Sequence, residues 1–464
     1  MGSLKDLNQA LAGPEHEKRF SDQGRPPQPE NSRKYVPVKF KLAFAQLMAF
    51  GWAGLSWYLA LPWIADLSVY VPYPVATLVV LGIAIMPGFA FAFIFFSLLL
   101  DRRPPTPTYS SLPPVSVLVA AYNERDNIAE TLTQLRKQNY PGEVEIILID
   151  DGSKDDTVKN ARAVNAPDVN IIVLPRNGGK AKALNAGLRQ ARHNLIISVD
   201  ADTFMHDKAL ENIVSRFLSD PPGTVAVAGA INVKNSRRNW LTRIQEWDYF
   251  HGIAVVKRTQ SLYQGTLVAQ GAFSLYTRQA LLEVGGWPDT VGEDIVLSWS
   301  LLKRGYRIGY AENAVVFTNV PETYVRFYQQ RRRWARGLIE AFKLHPQILK
   351  VFRLNSTFFY LNLFYPFLDT IYLLCFLPGL IAACFGYYFL AGPMTLAVLP
   401  LGLMNNFLMY HVQKRMFVGA KLRVRRNFFG FIFYVLFAQL LMSPASVAGY
   451  YAEFMNRRKT WGTK

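Results

Sequence analysis

The sequence predicts an α/β domain with a mostly parallel sheet, flanked by transmembrane helices. β-branched runs alternate with helical patterns in the middle of the chain, which is typical of a doubly wound sheet. Stretches without any charged residue lie on both sides of that region and are long enough to span a bilayer. Charged residues make up only 18% of the 464 residues, against about 25% in soluble domains, so the composition disfavours an ordinary soluble protein.

The chain is strongly basic and poor in cysteine. Its 51 Lys and Arg exceed its 33 Asp and Glu, which gives a formal charge of +18. Such an excess either binds an anionic partner or marks the side of a membrane on which loops remain. The two cysteines, Cys375 and Cys384, lie in an apolar stretch and predict neither a disulfide framework nor a Cys-rich zinc site.

The N-terminal region predicts a tail and two membrane spans. Residues 1–39 are polar and rich in Pro and Gly, which predicts a mostly disordered cytosolic tail. Residues 40–103 contain two uncharged runs, Leu42–Ala65 and Val75–Leu100, each longer than the roughly 20 residues that a spanning helix needs. Basic residues flank this pair but do not occur between the runs, so the positive-inside rule places the N-terminus and residue 101 onward in the cytosol.

Residues 104–350 are predicted to form the cytosolic α/β domain. The predicted strands are Val115–Ala121, Glu145–Ile149, Asn170–Leu174 and Asn194–Val199. Helical patterns cover Asp126–Gln138, Thr157–Val164, Lys180–Arg192 and Lys208–Leu218. Because ligands of such sheets bind beyond the carboxyl ends of the strands, we expect the site among the polar residues that follow them.

Residues 351–464 predict C-terminal transmembrane helices and a basic cytosolic tail. The apolar stretches are Phe358–Leu390, Met394–Met409 and Phe428–Ala452, and a basic loop separates the last two. The number of spans and the side of the C-terminus stay open, because the loop and the tail both favour the cytosol.

Acidic residues at strand ends predict a nucleotide and metal site. Asp150 and Asp151 open an Asp-Asp-Gly-Ser turn, and Asp200 and Asp202 are separated by one residue. Paired carboxylates suit Mg²⁺ or Mn²⁺, which in turn holds a diphosphate. An ordinary Asx-type turn and an ordinary loop are the alternative interpretations.

Two glycine-containing turns precede predicted helices. Lys180 follows two glycines whose backbone amides favour phosphate, although a solvated helix start fits the same residues. Glu293 and Asp294 begin another helix, where a carboxylate could remove a proton from a hydroxyl or the pair could simply cap the helix.

Residues 322–348 predict an amphipathic helix at the membrane interface. In one interpretation its arginines face headgroups and its apolar residues face lipid. These apolar residues are Tyr324, Phe327, Trp334, Leu338 and Phe342. Lipid contact does not explain why Gln330 precedes the arginines and Trp334 follows them.

In combination these motifs make the sequence resemble the processive family 2 glycosyltransferases, the membrane-embedded synthases of β-linked polysaccharides such as cellulose, hyaluronan, chitin oligosaccharide and poly-N-acetylglucosamine. The resemblance covers residues 115 to about 340 and the flanking apolar segments. Its motifs are Tyr122-Asn-Glu124, Asp150-Asp-Gly-Ser153, Asp200-x-Asp202, Glu293-Asp294 and Gln330-x-x-Arg333-Trp334.

The resemblance implies a nucleotide-sugar-binding domain of the GT-A type and a role for each motif. The residues that would bind the nucleotide-sugar are Tyr122, Glu124, Asp151, Lys180, Asp200 and Arg333. Asp200 and Asp202 would hold Mg²⁺ or Mn²⁺, and Asp294 would be the general base that deprotonates the acceptor hydroxyl. The residues that would contact acceptor and product are Gln330, Trp334 and Glu293.

The motifs give mixed indications of the product. Gly292 stands where many cellulose and poly-N-acetylglucosamine synthases have Thr or Ser, and it looks more like the chitin-oligosaccharide and hyaluronan synthases. Trp461-Gly-Thr-Lys464 also looks like hyaluronan synthases, whereas Asp294–Trp299 and Arg333–Gly337 look like poly-N-acetylglucosamine synthases. All three groups use UDP-N-acetylglucosamine, which is therefore the expected donor.

The resulting hypothesis is a multi-pass enzyme of the inner (plasma) membrane with a cytosolic catalytic domain. It would be an inverting hexosyltransferase that polymerises a β-linked glycan from a UDP-sugar and exports it through its own helices. Its expected partners are the UDP-sugar donor, the growing glycan and membrane lipid, and a small accessory membrane subunit is left open. The basic residues lie beside membrane spans, which argues against nucleic acid as a partner. Two alternatives stay open: a non-processive glycosyltransferase acting on a lipid carrier, and a catalytically silent membrane subunit that senses UDP-sugars.

Overall fold

An eight-stranded sheet organises the middle of the protein, in the strand order β3-β2-β1-β4-β7-β6-β8-β5. The computed structural model describes residues 36–102, 106–107, 109–164, 167–391, 398–424 and 426–457. The strands are β1 Val115–Ala121, β2 Val144–Asp150, β3 Val169–Val173, β4 Leu195–Asp200, β5 Thr203–Met205, β6 Thr224–Val233, β7 Phe273–Thr277 and β8 Arg307–Thr318. The predicted tail falls almost entirely outside the described residues, and the element Trp461–Lys464 falls wholly outside them.

Helices surround this sheet and flank it at both ends of the chain. They are α1 Val38–Ser68, α2 Tyr73–Leu99, α3 Ile128–Arg136, α4 Thr157–Ala163, α5 Lys180–Gln190, α6 Ala209–Ser219, α7 Trp240–Trp247, α8 Ala254–Leu262, α9 Arg278–Glu283, α10 Glu293–Lys303, α11 Tyr324–Leu344, α12 Ser356–Cys384, α13 Val398–Gly419 and α14 Phe428–Phe454. A π-helical segment, Asp248–Ile253, joins α7 to α8.

The first four strands of the fold pair in parallel and bring their carboxyl ends together. β3, β2, β1 and β4 form this parallel set, whereas β7 runs antiparallel between β4 and β6. At the end of β1, Ala121 pairs with Asp150 and Ala120 pairs with Asp200. The acidic ends of β2 and β4 therefore lie on either side of β1, and the predicted α/β fold with a mostly parallel sheet is confirmed.

Both faces of the sheet are buried, because its central strands are apolar at nearly every position. Leu118 packs in one core with Leu184 of α5, while its neighbour Val117 packs in another with Leu132 of α3. The four predicted strands all occur, but β5, β6, β7 and β8 were not predicted. The Val- and Ala-rich run of β6 carried the signal that could have found that strand.

Four of the helices among the described residues, α1, α2, α12 and α14, are long and apolar enough to cross a membrane. The first two contain the uncharged runs expected to span. They also pack on the domain: Phe93 of α2 stacks on Tyr263 with ring centroids 5.7 Å apart, and the Tyr263 hydroxyl donates to Ser97 Oγ at 2.7 Å. The boundaries between the tail, the membrane segments and the α/β domain, at residues 39, 103 and 350, stay predictions.

Candidate active site

The loops after β1 and β2 are tied together by short-range hydrogen bonds. The Asn123 amide donates to Ser153 Oγ at 2.9 Å. Asn123 has a φ of 56°, a left-handed conformation that Asn tolerates better than most residues. Tyr122 and Glu124, which flank Asn123, are each half-buried beside the Asp150–Ser153 turn.

The two aspartates of that turn have different partners. Asp150 Oδ2 accepts from the Ser153 amide at 3.0 Å, so the Asx-turn interpretation holds for Asp150. The buried carboxylate of Asp151 instead accepts from the amides of Gly178 and Gly179 at 2.9 and 2.8 Å. Asp151 thereby fixes the glycine turn that begins α5, in which Gly179 has a φ of 92°.

Lys180, the first residue of α5, points into the site and not into solvent. Its ammonium forms an ion pair with Asp200, and Nζ lies 3.7 Å from Glu293 Oε1. Burial lowers the pKa of Lys180, but the charges of Asp200 and Glu293 outweigh burial and raise the pKa above its usual value. The solvated helix start is therefore wrong for Lys180, although Lys182 is exposed as that interpretation expects.

Glu293 and Asp294 lie beside this lysine at the start of α10. Burial raises the pKa of Glu293 to about 7, opposed by Lys180 and reinforced by Asp294. Asp294 is half-buried, and its Oδ2 accepts from the Gly271 amide at 3.3 Å. A Cβ atom on Gly271 would lie 2.6 Å from Lys180 Nζ, so any larger residue there would require the ammonium to shift.

A second buried lysine supports the loop that carries Gly271. Lys257 of α8 donates to the Val268 carbonyl at 2.5 Å. Burial lowers the pKa of Lys257 to about 8, and the negative charge of Asp294 opposes this shift. Lys257 thus places a positive charge near Asp294, and this lysine loses its proton more readily than an exposed lysine does.

Helix α11 holds the turn in front of Glu293 and Asp294. The Glu340 carboxylate accepts from the amides of Val291 and Gly292 at 2.8 and 3.3 Å. A Cβ atom on Gly292 would lie 2.8 Å from the Cα of Gly337 in α11. Glycine at position 292 therefore allows the turn and the helix to approach closely.

The first arginine of the run in α11 is buried in protein contacts, and the next two, Arg332 and Arg333, are half-buried. Arg331 is 6% exposed, and its Nη2 lies 2.7 Å from Asp248 Oδ2. Phe327 and Leu338 are buried, and Phe342 packs on Trp299 with ring centroids 4.6 Å apart. The expectation that these residues face lipid is therefore wrong for Phe327, Leu338 and Phe342, whereas Tyr324 and Trp334 are exposed.

Gln330, Arg333 and Trp334 lie on the same helix with different exposure. Burial raises the pKa of both Glu293 and Tyr249, and the positive charge of Arg333 partly opposes each rise. Gln330 Oε1 is buried and has no hydrogen-bond partner among the described residues. Trp334 is 39% exposed and therefore presents ring surface to solvent.

The metal-binding prediction is consistent with the donor atoms at the end of β4. Asp202 follows Asp200 on the loop to β5 and is half-buried; burial raises the pKa of Tyr249, and the negative charges of Asp248 and Asp202 add to that rise. Within the described ranges, no three His, Cys, Asp or Glu side chains are grouped closely enough to hold a metal ion. Two carboxylates fit Mg²⁺ or Mn²⁺, because these ions commonly take one or two carboxylates together with substrate phosphates.

Contacts bring four of the predicted site residues into one group, and several of their neighbours were not predicted. Lys180 contacts Asp200 and Glu293, and the Gly271 amide links that group to Asp294. The missed residues are Asp248, Lys257, Gly271 and Glu340. Asp248 and Lys257 lie among other charged residues, such as Glu246 and Arg258, so the local sequence carried no signal that singled them out.

Known proteins resemble this chain in sequence and fold. Residues 116–285 match the model of glycosyl transferase family 2. Poly-beta-1,6-N-acetyl-D-glucosamine synthase of Staphylococcus aureus (strain MSSA476) is 36% identical over 238 residues, which are 51% of this chain and 57% of the relative. The Staphylococcus epidermidis synthase of the same name is 37% identical over 225 residues, covering 48% of this chain and 54% of that protein. The chain thus matches a little over half the length of these curated relatives.

A solved structure extends the likeness beyond the sheet. A mannosyltransferase from Pyrobaculum calidifontis, in complex with GDP-Man and Mn²⁺, aligns with a TM-score of 0.50 over 91% of this chain and 100% of its own, at 20% identity. At that identity the likeness bears on the fold alone. It agrees with the fold expected from the motifs.

Proposed function

We propose that this chain, in which residues 116–285 form a glycosyl transferase family 2 domain, is a membrane-bound inverting hexosyltransferase that extends a β-linked glycan from a UDP-sugar. One observation carries the proposal: Lys180, Asp200 and Glu293 meet at the carboxyl edge of the sheet, next to Asp294. The relatives are synthases of a poly-N-acetylglucosamine, which supports UDP-N-acetylglucosamine as donor. Export of the product through the helices of the chain is part of the proposal.

The donor would bind at the ends of β1, β2 and β4. Tyr122, Glu124 and Asp151 would hold the uridine, since they lie on adjoining loops at that edge. Lys180 and Arg333 would bind the diphosphate. The neighbouring carboxylates keep Lys180 protonated, and a charged ammonium forms strong hydrogen bonds with phosphate oxygens. Asp200 would also take part in nucleotide-sugar binding, since its carboxylate lies beside Lys180 at the same edge of the sheet.

Asp200 and Asp202 would hold Mg²⁺ or Mn²⁺ together with the diphosphate oxygens. When bound, such an ion stabilises the negative charge that develops on the departing UDP. A chelator is expected to abolish turnover, and restoring each ion separately would determine which one the enzyme uses.

Transfer needs a base on the acceptor side of the sugar. The Asp294 carboxylate would accept the proton of the acceptor hydroxyl, and the resulting oxygen would attack C1 on the face opposite the diphosphate. A C1–O bond to the acceptor forms, the C1–O bond to the phosphate breaks, and UDP leaves with the bonding electrons. Attack from the opposite face converts the α-linked donor sugar into a β-linked product.

The acceptor would lie against α11. The exposed ring of Trp334 suits the C–H-rich face of a pyranose, and an indole gives a large contact area with few rotatable bonds. Gln330 Oε1, buried without a hydrogen-bond partner among the described residues, would accept from a sugar hydroxyl. Glu293 would contact the acceptor from the other side of the site.

The membrane segments fit an enzyme that works at the inner (plasma) membrane. Four helices of the described chain have the length and composition to span, and α1 and α2 pack directly on the domain. We propose that the domain faces the cytosol, where UDP-sugars are made, and that the basic loop after α13 lies on the same side. An accessory membrane subunit stays a prediction.

A donor screen on the full chain in detergent tests this proposal. UDP release with UDP-N-acetylglucosamine and Mg²⁺ or Mn²⁺, together with a glycosidase-sensitive polymer, is the expected result. Transfer only to an added lipid carrier would favour a non-processive enzyme instead. UDP-sugar binding without any UDP release would identify a silent sensor and contradict the proposal.

A further inference from the structure

We propose that Asp248 and Arg331 are positioning residues that fix the ring of Trp334 and thereby set the length of the glycan. This inference rests on the proposed function, since it assigns a task to residues around its acceptor site. Asp248 lies outside the motifs that suggested the function, and Arg331 occupies an unspecified position of Gln330-x-x-Arg333-Trp334. Both are buried charges at the junction of α11 with the π-helical segment Asp248–Ile253.

The ion pair is well protected from solvent. Asp248 is 7% exposed and Arg331 is 6% exposed, and 2.7 Å separates the carboxylate oxygen from the guanidinium nitrogen. Burying two charges is costly unless they are paired, so the guanidinium has little freedom to move away from Asp248. The pair connects two helical segments that lie far apart in the sequence.

The held guanidinium lies against aromatic rings of its own helix. The Arg331 Cζ atom is 4.3 Å from the centroid of Trp334 and 5.0 Å from that of Phe327. These spacings of three and four residues place the side chains on one face of a helix. Planar guanidinium groups stack on aromatic faces, which ammonium groups cannot do in the same way.

One face of Trp334 is thus occupied by protein, and the ring is still 39% exposed. A sugar can pack only on surface that Arg331 leaves uncovered. Tyr249, the residue after Asp248, approaches the same ring with centroids 6.4 Å apart. The π-helical segment therefore contributes two consecutive residues to the surroundings of Trp334, as such segments often do at functional sites.

Glycine at position 252 makes room for the Asp248 carboxylate. A Cβ atom there would lie 2.9 Å from Asp248 Oδ1 and 3.5 Å from the Tyr434 hydroxyl of α14. Gly252→Ala would therefore displace the carboxylate without changing any charge in the group. It provides an independent way to disturb Arg331.

Product length is the property that this arrangement should control. A polymerase keeps its product as long as extension is faster than release, and the Trp334 platform holds the chain end between additions. Loss of a cation–π contact that orients this ring is expected to shorten the mean product about fivefold. UDP affinity should not change, because the contacts that carry this inference join the π-helical segment to α11 and α14, and not to the turn of Asp151.

The test uses the full chain with UDP-N-acetylglucosamine and measures product length and UDP affinity together. Arg331→Lys keeps the charge and the pairing with Asp248 but loses the planar stack, so it is expected to fold and to make shorter glycan. Asp248→Asn and Gly252→Ala should give the same phenotype.

The matched control is Arg336→Lys. Arg336 lies on the same helix but away from Trp334, and it forms a buried ion pair with Glu453 of α14. The product of this variant should have wild-type length.

The outcomes separate this inference from the proposed function. If the wild-type chain releases no UDP, the proposed function fails. If it polymerises and the three variants make wild-type lengths, the positioning role is overturned. Equal shortening by Arg336→Lys, or a parallel loss of UDP affinity, would also overturn it, since the effect would then come from general loosening of α11 or from the donor side.

Discussion

The donor side and the acceptor side of the site are held by different kinds of contact. On the donor side, Asp151 binds two backbone amides of the turn before α5, and the sheet sets the spacing of the strand ends. On the acceptor side, α11 is held by buried ion pairs with distant helices, Asp248–Arg331 and Arg336–Glu453. Nucleotide binding should therefore depend on loop geometry, and glycan retention on helix packing.

The acceptor side is also linked to the membrane region. Glu453 lies in α14, which is long and apolar enough to span a bilayer and packs along α11. Breaking a buried ion pair by removing one partner typically costs about 3–5 kcal/mol. Helix α14 is thus coupled directly to the C-terminal half of α11 at Arg336, whereas the donor loops are held by the pairing of β1, β2 and β4.

The largest expected effect lies where the two sides meet, at Asp294. Asp294→Asn keeps the size of the side chain but removes the base, so kcat should fall about 10²- to 10⁴-fold. UDP affinity should stay near wild type, because the Lys180 contacts remain. Steady-state UDP release and UDP titration measure the two quantities; turnover within tenfold of wild type would exclude Asp294 as the base.

A change at Asp151 should separate the donor side from the acceptor side. Asp151→Ala leaves two amides of the glycine turn without their acceptor, and UDP affinity is expected to fall about tenfold. The length of the product made at saturating donor should not change. Lys182→Met is the matched control, since its pair with Asp289 is exposed and contributes little.

The smallest expected effect is a pH dependence carried by Glu293. Burial raises its pKa to about 7, so the side chain is neutral below that pH and anionic above it. The anion lies beside Lys180 and competes with the diphosphate, so the donor KM should rise about threefold as the pH increases through 7. Glu293→Gln should flatten this rise, and an unchanged profile in that variant would assign it to another group.

The same raised pKa affects stability. Because Glu293 binds its proton more tightly in the folded state than in the unfolded chain, its contribution is present below the unfolded pKa and is lost as the pH rises through about 7. The free energy of unfolding of the wild type should therefore fall over that range relative to Glu293→Gln. Denaturant titration of the two proteins at several pH values measures the difference.

The parallel half of the sheet could be predicted because its signals are local. Each of its strands is an apolar run followed directly by a turn, and Asp150 makes the Asx turn that its neighbours suggested. The antiparallel half was missed because β7 pairs with β4 and β6 across long connections. The helix that carries Gln330 and Trp334 was predicted correctly, but its surroundings were not, since an amphipathic pattern does not distinguish lipid from another part of the protein.

The sequence by itself determined the fold class, the apolar helices on both sides of the domain and the motifs that gather at the strand ends. These follow from hydrophobic periodicity, from the length of uncharged runs and from residue chemistry at turns, all of which act over a few neighbouring residues. Only the tertiary structure decided that Lys180 turns inward to Asp200, that Gly292 packs on Gly337 and that Asp248 holds Arg331. Those contacts join residues that the chain separates widely, and which charges pair in a buried interior depends on how the helices pack, a property that no short segment contains.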